Sequence, residues 1–127
     1  MKKSEFSTEI LEKALDSLEK ALNPIPQNDR ERDGAIQRFE YSFELCWKLA
    51  QKMFSSEGIQ VHSPKAVIRE LASQGLIDNP EDWLDFLEKR NLTSHTYNEK
   101  VAEKVFFVIG NFLKSAQHLL HNVKVRK

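Results

Sequence analysis

The 127 residues suffice for one domain, residues 1–127, that buries an apolar core without disulfide or metal support. Lysine and arginine total 19 and aspartate and glutamate total 19, which excludes a strong overall attraction to nucleic acid or to an anionic membrane. The single cysteine excludes an intramolecular disulfide, and no apolar run reaches the roughly 20 residues that cross a bilayer. Residues 1–6 lack the apolar segment of a secretory signal. We therefore expect a cytoplasmic protein without a membrane partner.

The spacing of apolar residues predicts helices along most of the chain. In residues 4–22 they recur at intervals of three and four, which places them on one side of a helix. Pro24 and Pro26 end this segment because proline cannot continue the backbone hydrogen-bond ladder. The predicted buried side consists of Phe6, Ile10, Leu11, Ala14, Leu18, Ala21 and Leu22.

The second predicted helix, residues 28–54, has the most aromatic residues and is therefore expected at the centre of the fold. Asn28 can cap it, with Glu31 at the reciprocal position of a capping box, and Gly58 is the expected stop. The periodic apolar residues are Ile36, Phe39, Phe43, Cys46, Trp47, Ala50, Met53 and Phe54.

Two shorter helices follow. Ser63 and Asn79 each precede a proline, and a capping residue followed by proline is a start signal for a helix. The first of the pair ends near Gly75, and the second leads into Arg90. Their inward-facing residues are predicted to be Val67, Ile68 and Leu71, then Trp83, Leu84, Phe86 and Leu87.

The last helix has the longest apolar stripe. Thr96 and Glu99 fit a capping box at its start, and residues 124–127 are expected to be frayed. Its predicted buried face consists of Val101, Ala102, Val105, Phe106, Ile109, Phe112, Leu113, Ala116, Leu120 and Val123. Together these segments predict an all-α fold, an up-and-down antiparallel bundle of about five helices.

Residues 90–97, Arg-Asn-Leu-Thr-Ser-His-Thr-Tyr, place several chemically active side chains between two helices. A histidine can exchange a proton near neutral pH, and an arginine offers a planar set of donors that fits phosphate oxygens. His95 could activate a ribose 2′-hydroxyl while Arg90 stabilises phosphoryl charge, and no metal is required. Asn91, together with Thr93 or Ser94, could add neutral hydrogen bonds. On spacing alone, the alternative is a surface arginine and a histidine tied to the backbone at a helix junction.

The motif contains one histidine, whereas strand cleavage needs a base for the 2′-hydroxyl and an acid for the leaving 5′-oxygen. A two-fold dimer that brings two copies of the motif together would supply both groups. A ribonuclease interpretation therefore predicts a homodimer.

Other polar residues have more than one interpretation. A solvated helix face with ion pairs is the favoured explanation of Glu40 and Glu44, and the alternative is that one of them orients Arg90 or His95. The spacing of two histidines in the last helix is compatible with metal binding, but no suitably spaced cysteine or carboxylate accompanies them, so no metal is expected. No cofactor is expected either, because the chain has no glycine-rich phosphate loop.

The sequence resembles the HEPN superfamily, in the branch of HepT-like toxins that is also labelled nucleotidyltransferase substrate-binding proteins. The resemblance covers nearly the whole chain and is carried by residues 38–47 (RFEYSFELCW), 63–71 (SPKAVIREL) and 90–97 (RNLTSHTY). The third stretch fits the Arg-x4-His-x-Tyr pattern of the family without a gap.

This resemblance implies a HEPN-type helical bundle that dimerises, with Arg90 and His95 of both copies lining a shared cleft. In active members the cleft is a metal-independent ribonuclease site. The implied partner is a minimal nucleotidyltransferase, which acts as antitoxin and can adenylylate the motif tyrosine, here Tyr97. An AMP there would add bulk and negative charge beside His95 and oppose RNA phosphate. Judged on its position alone, Tyr97 packs its ring beside a helix cap and exposes its hydroxyl.

Because the chain is neutral overall, affinity for RNA would depend on a local cluster of basic residues. The candidates are Lys65, Arg69, Lys89, Arg90 and Lys100. Neutrality also fits a second hypothesis, a non-catalytic subunit that presents substrate to a nucleotidyltransferase. A third hypothesis is a helical dimerisation scaffold in which the motif spacing is accidental.

Overall fold

A computed structural model describes residues 7–126 and contains five α-helices within that range. They are α1 (Glu9–Leu22), α2 (Asp29–Ser56), α3 (Pro64–Ser73), α4 (Pro80–Asn91) and α5 (Glu99–Arg126), with a short 3₁₀ helix (Thr93–His95) between α4 and α5. The predicted all-α bundle of five helices is confirmed. Phe6 and the expected start of the first helix at residue 4 lie outside the described residues. No helix in the described range is both long enough and apolar enough to cross a membrane.

The predicted helix starts at α2, α3 and α4 are confirmed by their hydrogen bonds. The Asn28 Oδ1 atom accepts a hydrogen bond from the backbone N–H of Glu31 at 2.9 Å. Ser63 and Asn79 cap the next two helices in the same way, each accepting from the amide three residues later. These bonds satisfy N–H groups that have no partner within the helix. The predicted stops have left-handed backbone angles that suit glycine: φ is 82° at Gly58 and 72° at Gly75.

The predicted capping box of the last helix is wrong. Asn98 caps α5, since its Oδ1 atom accepts hydrogen bonds from the backbone N–H groups of Lys100 at 2.9 Å and Val101 at 3.3 Å. Thr96 instead donates its hydroxyl to the Thr93 carbonyl at 3.3 Å. The short 3₁₀ helix draws Thr96 into its own hydrogen bonding, so the cap moves two residues along the chain.

Ion pairs at both ends show that α2 and α5 run in the same direction. Arg32 near the start of α2 contacts Glu99 at the start of α5, and Glu57 at the end of α2 contacts Arg126 at the end of α5. These two 28-residue helices pack directly against each other. They form the centre on which the shorter helices are arranged.

The helices α1 and α4 run opposite to this central pair. Glu12 in the first turns of α1 lies 3.3 Å from Lys124 near the end of α5. Asp78, just before α4, lies 3.4 Å from His118 in the last third of α5. The helices α1, α2, α4 and α5 therefore alternate in direction. The motif, residues 90–97, follows α4 and so lies at the end of the bundle where α2 and α5 begin.

The core is built on aromatic side chains from three helices, which confirms the predicted central place of α2. The Phe112 ring on α5 lies edge-on to Phe39 of α2 at 5.0 Å and to Phe86 of α4 at 5.5 Å between centroids. Phe43 and Trp83 complete the cluster, and all five side chains are buried. This packing fixes the rotation of α4, and hence where its C-terminal residues point.

The predicted burial of α1 and α5 and the predicted fraying of the C-terminal tail need correction. Ile10, which the apolar spacing places on the buried side, is 65% exposed, because it lies in the first turn of α1, at a groove between α1 and α2. Val108 and Leu119 of α5 are buried although they are absent from the predicted face. The C-terminal tail is helical as far as Arg126, whose ion pair with Glu57 holds it against α2.

Candidate functional site

Arg90 lies in the last turn of α4 and is held by a carboxylate of α2. Its Nη2 atom is 3.0 Å from Glu44 Oε1, and the Trp47 indole N–H donates to the same oxygen at 3.2 Å. The Arg90 side chain is 29% exposed, and its Nε atom is buried without a hydrogen-bond partner among the described residues. The guanidinium is thus fixed on one side and reaches solvent on another. Of the two carboxylates considered from the sequence, Glu44 is the one that contacts Arg90.

The turn after α4 is fixed by its own backbone bonds. The Thr93 hydroxyl donates to the Arg90 carbonyl at 2.7 Å, and the His95 N–H donates to the Leu92 carbonyl at 2.9 Å. The Asn98 N–H in turn donates to the His95 carbonyl at 3.1 Å. A turn with this many internal bonds presents its side chains in a defined direction.

The side chains of His95 and Tyr97 face each other at the surface of the protein. His95 Nδ1 lies 3.4 Å from the Tyr97 hydroxyl, and the rings are edge-on with centroids 5.9 Å apart. His95 is exposed, and Tyr97 is 85% exposed. The imidazole therefore contacts Tyr97 and solvent rather than being tied to the backbone.

The remaining predicted residues are divided among different surfaces. Asn91 is exposed as the last residue of α4, next to Arg90. Lys89 and Lys100 line one groove of about 850 Å³ between α4 and α5, but Lys89 is paired with Asp85 at 2.7 Å. Lys65 and Arg69 are exposed on α3 and do not line this groove.

An ion pair that the sequence did not reveal holds the end of the motif. Arg32 of α2 donates two hydrogen bonds to the Glu99 carboxylate, at 2.6 Å and 3.3 Å, two residues after Tyr97. The hydrogen bond from Arg32 holds the pKa of Glu99 below its usual range, and the same bond raises the pKa of Arg32. Because the two residues are 67 positions apart in sequence, no local pattern could predict this contact.

Other reactive groups do not extend the site. Burial raises the pKa of the Cys46 thiol, so it remains protonated and is a core residue rather than a nucleophile. His118 pairs with Asp78 at the far end of α4. In the described part of the chain, no three histidine, cysteine or carboxylate side chains are grouped to hold a metal ion.

Comparison with known families assigns this arrangement of helices. A family model described as "Nucleotidyltransferase substrate binding protein like" matches residues 7–125. The chain belongs to this family. The match includes all five helices apart from the last residue of α5, so the whole site lies within the shared fold.

Individual relatives agree with the family assignment. A Haemophilus influenzae protein named "Probable ribonuclease HepT" is 35% identical over 98 residues, covering 73% of this chain and 67% of the relative. A Thermus thermophilus crystal structure is 38% identical with a TM-score of 0.80, covering 87% of this chain and 96% of that one. A Haemophilus influenzae structure, described as the fold of a substrate binding domain of a nucleotidyltransferase, is 29% identical with a TM-score of 0.84, covering 93% and 99%. The resemblance predicted from residues 38–47, 63–71 and 90–97 is confirmed at the level of the family.

Proposed function

We propose that the protein is a HepT-like ribonuclease toxin that cleaves RNA as a homodimer and is silenced by a nucleotidyltransferase partner. The observation that supports this most is the geometry at the end of α4: Glu44 of α2 holds Arg90, and the His95 imidazole is exposed five residues later. Both groups can be reached by a polynucleotide. The relative named as a probable ribonuclease, with 35% identity, supports the same chemistry.

In the proposed reaction, the phosphorus of the scissile phosphodiester is transferred from the 5′-oxygen of one nucleotide to the 2′-oxygen of the preceding ribose. The 2′-hydroxyl oxygen attacks the adjacent phosphorus, and the bond from phosphorus to the 5′-oxygen breaks. A neutral His95 accepts the 2′-hydroxyl proton, and the protonated His95 of the second copy donates a proton to the leaving 5′-oxygen. Arg90 stabilises the charge on the non-bridging oxygens, and Asn91 adds a neutral hydrogen bond. The products are a 2′,3′-cyclic phosphate and a 5′-hydroxyl, formed by protein side chains without a metal.

The homodimer is part of this proposal because one chain contributes one motif histidine. His95 and Tyr97 are exposed, so a second copy can approach them without unfolding the turn. In a two-fold dimer the same residues of both copies meet at the axis. Cleavage per protein chain should then fall on dilution below the dissociation constant of the dimer.

Tyr97 is the proposed site of regulation. Its hydroxyl is accessible and lies 3.4 Å from His95 Nδ1. A nucleotidyltransferase would direct this oxygen to the α-phosphorus of ATP, which forms a phosphodiester to AMP and releases pyrophosphate. The added phosphate carries a negative charge beside the imidazole, where it opposes the phosphate of RNA. Co-expression with the partner should add the mass of one AMP, and Tyr97→Phe should abolish this increment.

A second candidate function is a non-catalytic subunit that presents substrate to a nucleotidyltransferase. It is supported by the family description and by the structural relative described as a substrate binding domain. It requires complex formation with the transferase and no cleavage of RNA. The cleavage assay below separates the two candidates.

The decisive experiment compares RNA cleavage by the wild-type protein, His95→Ala and His121→Ala in the presence of EDTA. His121 is an exposed histidine on α5 and serves as the matched control. We expect cleavage by the wild type and by His121→Ala, with 2′,3′-cyclic phosphate ends, and none by His95→Ala. Absence of cleavage by folded wild-type protein over a range of RNAs would reject the ribonuclease and leave the subunit interpretation.

A further inference from the structure

The helix α2 places a second positive charge beside Arg90. Lys48 Nζ lies 3.6 Å from Glu44 Oε2, on the other side of the carboxylate that holds Arg90. The Lys48 ammonium also lies over the Trp47 ring, 5.9 Å from its centroid. Trp47 therefore contacts Glu44 through its indole N–H and Lys48 through its ring face. These contacts place Lys48 beside the carboxylate while its side chain remains 60% exposed.

The charges around this carboxylate do not cancel. Arg90 and Lys48 supply two positive charges and Glu44 supplies one negative charge, which leaves a net charge of +1 on this small area. Both carboxylate oxygens already have cationic partners, so Glu44 serves to hold two cations on one surface. By contrast, Lys89 is paired one-to-one with Asp85, and its side chain is only 15% exposed. Lys48 is therefore an exposed lysine whose carboxylate partner is shared with Arg90.

We propose that Lys48 is a phosphate-binding residue of the ribonuclease site, and that Glu44 and Trp47 are positioning residues for it and for Arg90. This inference rests on the proposed function and adds the part of the substrate that α2 would contact. Arg90 engages the scissile phosphodiester, and Lys48 engages the neighbouring phosphate of the same single strand. Because a lysine contacts phosphate as a point charge, Lys48 should contribute to affinity for every sequence and not to base preference.

The sequence alone does not distinguish Lys48 from an ordinary surface lysine. Lys48 is 42 residues before Arg90, and its i, i+4 spacing to Glu44 suggests an ordinary surface ion pair on a helix. Only the arrival of Arg90 at the same carboxylate turns that pair into a three-residue cluster.

The test measures binding of a 2′-O-methyl oligonucleotide, which lacks the attacking hydroxyl and is not cleaved, at several salt concentrations. Each phosphate contact to a single strand contributes about 0.7 to the slope of log K against log salt. We expect Lys48→Ala to reduce that slope by about 0.7 for every sequence, and Lys48→Arg to keep it. Lys114→Ala removes the same charge from an exposed position of α5 near the start of α4, and it should leave the slope unchanged.

The outcomes separate this inference from the proposed function. If the wild type cleaves RNA but Lys48→Ala and Lys114→Ala bind with equal slopes, Lys48 is not a phosphate contact, although the ribonuclease proposal stands. If the wild type neither binds nor cleaves RNA, both are rejected. Thermal melting of each variant identifies any loss that comes from unfolding, and Lys48→Arg distinguishes the loss of charge from the loss of packing on Trp47.

Discussion

Replacing Glu44 by glutamine tests how the bundle positions Arg90. The substitution keeps the shape of the side chain but removes the charge that faces the guanidinium at 3.0 Å. The two side chains are 29% and 28% exposed, so their pair lies between a solvated surface pair, worth up to about 1 kcal/mol, and a fully buried one, whose disruption costs about 3–5 kcal/mol. Since the amide oxygen can still accept a hydrogen bond, we expect the loss to be about 1 kcal/mol, or about 4 °C in Tm for a domain of this size.

The expected effect on cleavage is much larger than the effect on stability. Without the carboxylate, the Arg90 guanidinium is no longer fixed, and a displacement of about 1 Å in a catalytic group can cost about 100-fold in rate. We expect kcat to fall by about 10- to 100-fold, with KM unchanged or lower because the removed negative charge no longer opposes RNA. Glu40→Gln, one turn earlier on α2, is the matched control and should cleave like the wild type.

The assay is steady-state RNA cleavage over a range of RNA concentrations, which gives kcat and KM separately, with a thermal melt of each variant. A kcat within twofold of the wild type would refute a positioning role for Glu44. A higher KM at unchanged kcat would also refute it, since that result indicates lost substrate binding rather than a misplaced arginine.

Three further predictions concern the fold around the site. Phe112→Ala should destabilise the protein by about 3–5 kcal/mol in urea unfolding, because the Phe112 ring is the centre of the aromatic cluster. As a control, Phe107→Ala, at an 84% exposed position, should change the free energy of unfolding by less than about 0.5 kcal/mol. Equal effects of the two substitutions would contradict the described core. Asn98→Ala should cost about 1 kcal/mol by removing the cap of α5, and a larger Tm loss in Thr96→Ala would contradict this cap. Because Arg32 lowers the pKa of Glu99, the stability that this carboxylate contributes is present above the ordinary carboxyl pKa and is lost as the pH falls through the lowered value. Glu99→Gln should therefore flatten the acid side of a curve of Tm against pH. A variant curve parallel to that of the wild type would contradict the pair with Arg32.

The site also explains how a chain of zero net charge could act on RNA. Its charges are balanced over the whole sequence, but the surface around Glu44 holds Arg90 and Lys48 against one carboxylate. A local excess of positive charge, rather than the charge of the whole chain, would then supply the attraction to phosphate. Because few phosphate contacts are involved, we expect RNA binding to depend only weakly on salt, with a small slope of log K against log salt.

The sequence by itself determined the helices and the composition of the motif. Capping residues such as Asn28 and Ser63, and apolar spacings of three and four, depend on neighbours within one or two turns, so they can be read along the chain. The placement of Arg90, His95 and Tyr97 at one helix junction could be predicted for the same reason. Their family resemblance followed from contiguous stretches and is confirmed by the match to residues 7–125.

Only the tertiary structure decided which distant side chains meet the motif. Choosing Glu44 over Glu40 and pairing Arg32 with Glu99 both depend on how α2 is rotated and shifted against α4 and α5. The contacts of Trp47 and Lys48 with Glu44 are local to α2, and only the arrival of Arg90 at the same carboxylate brings them near the motif. The aromatic core sets that rotation through contacts between residues far apart in sequence, such as Phe39 and Phe112. Even the cap at Asn98 depended on the 3₁₀ helix that precedes it, because competing local hydrogen bonds are resolved only when the junction is packed.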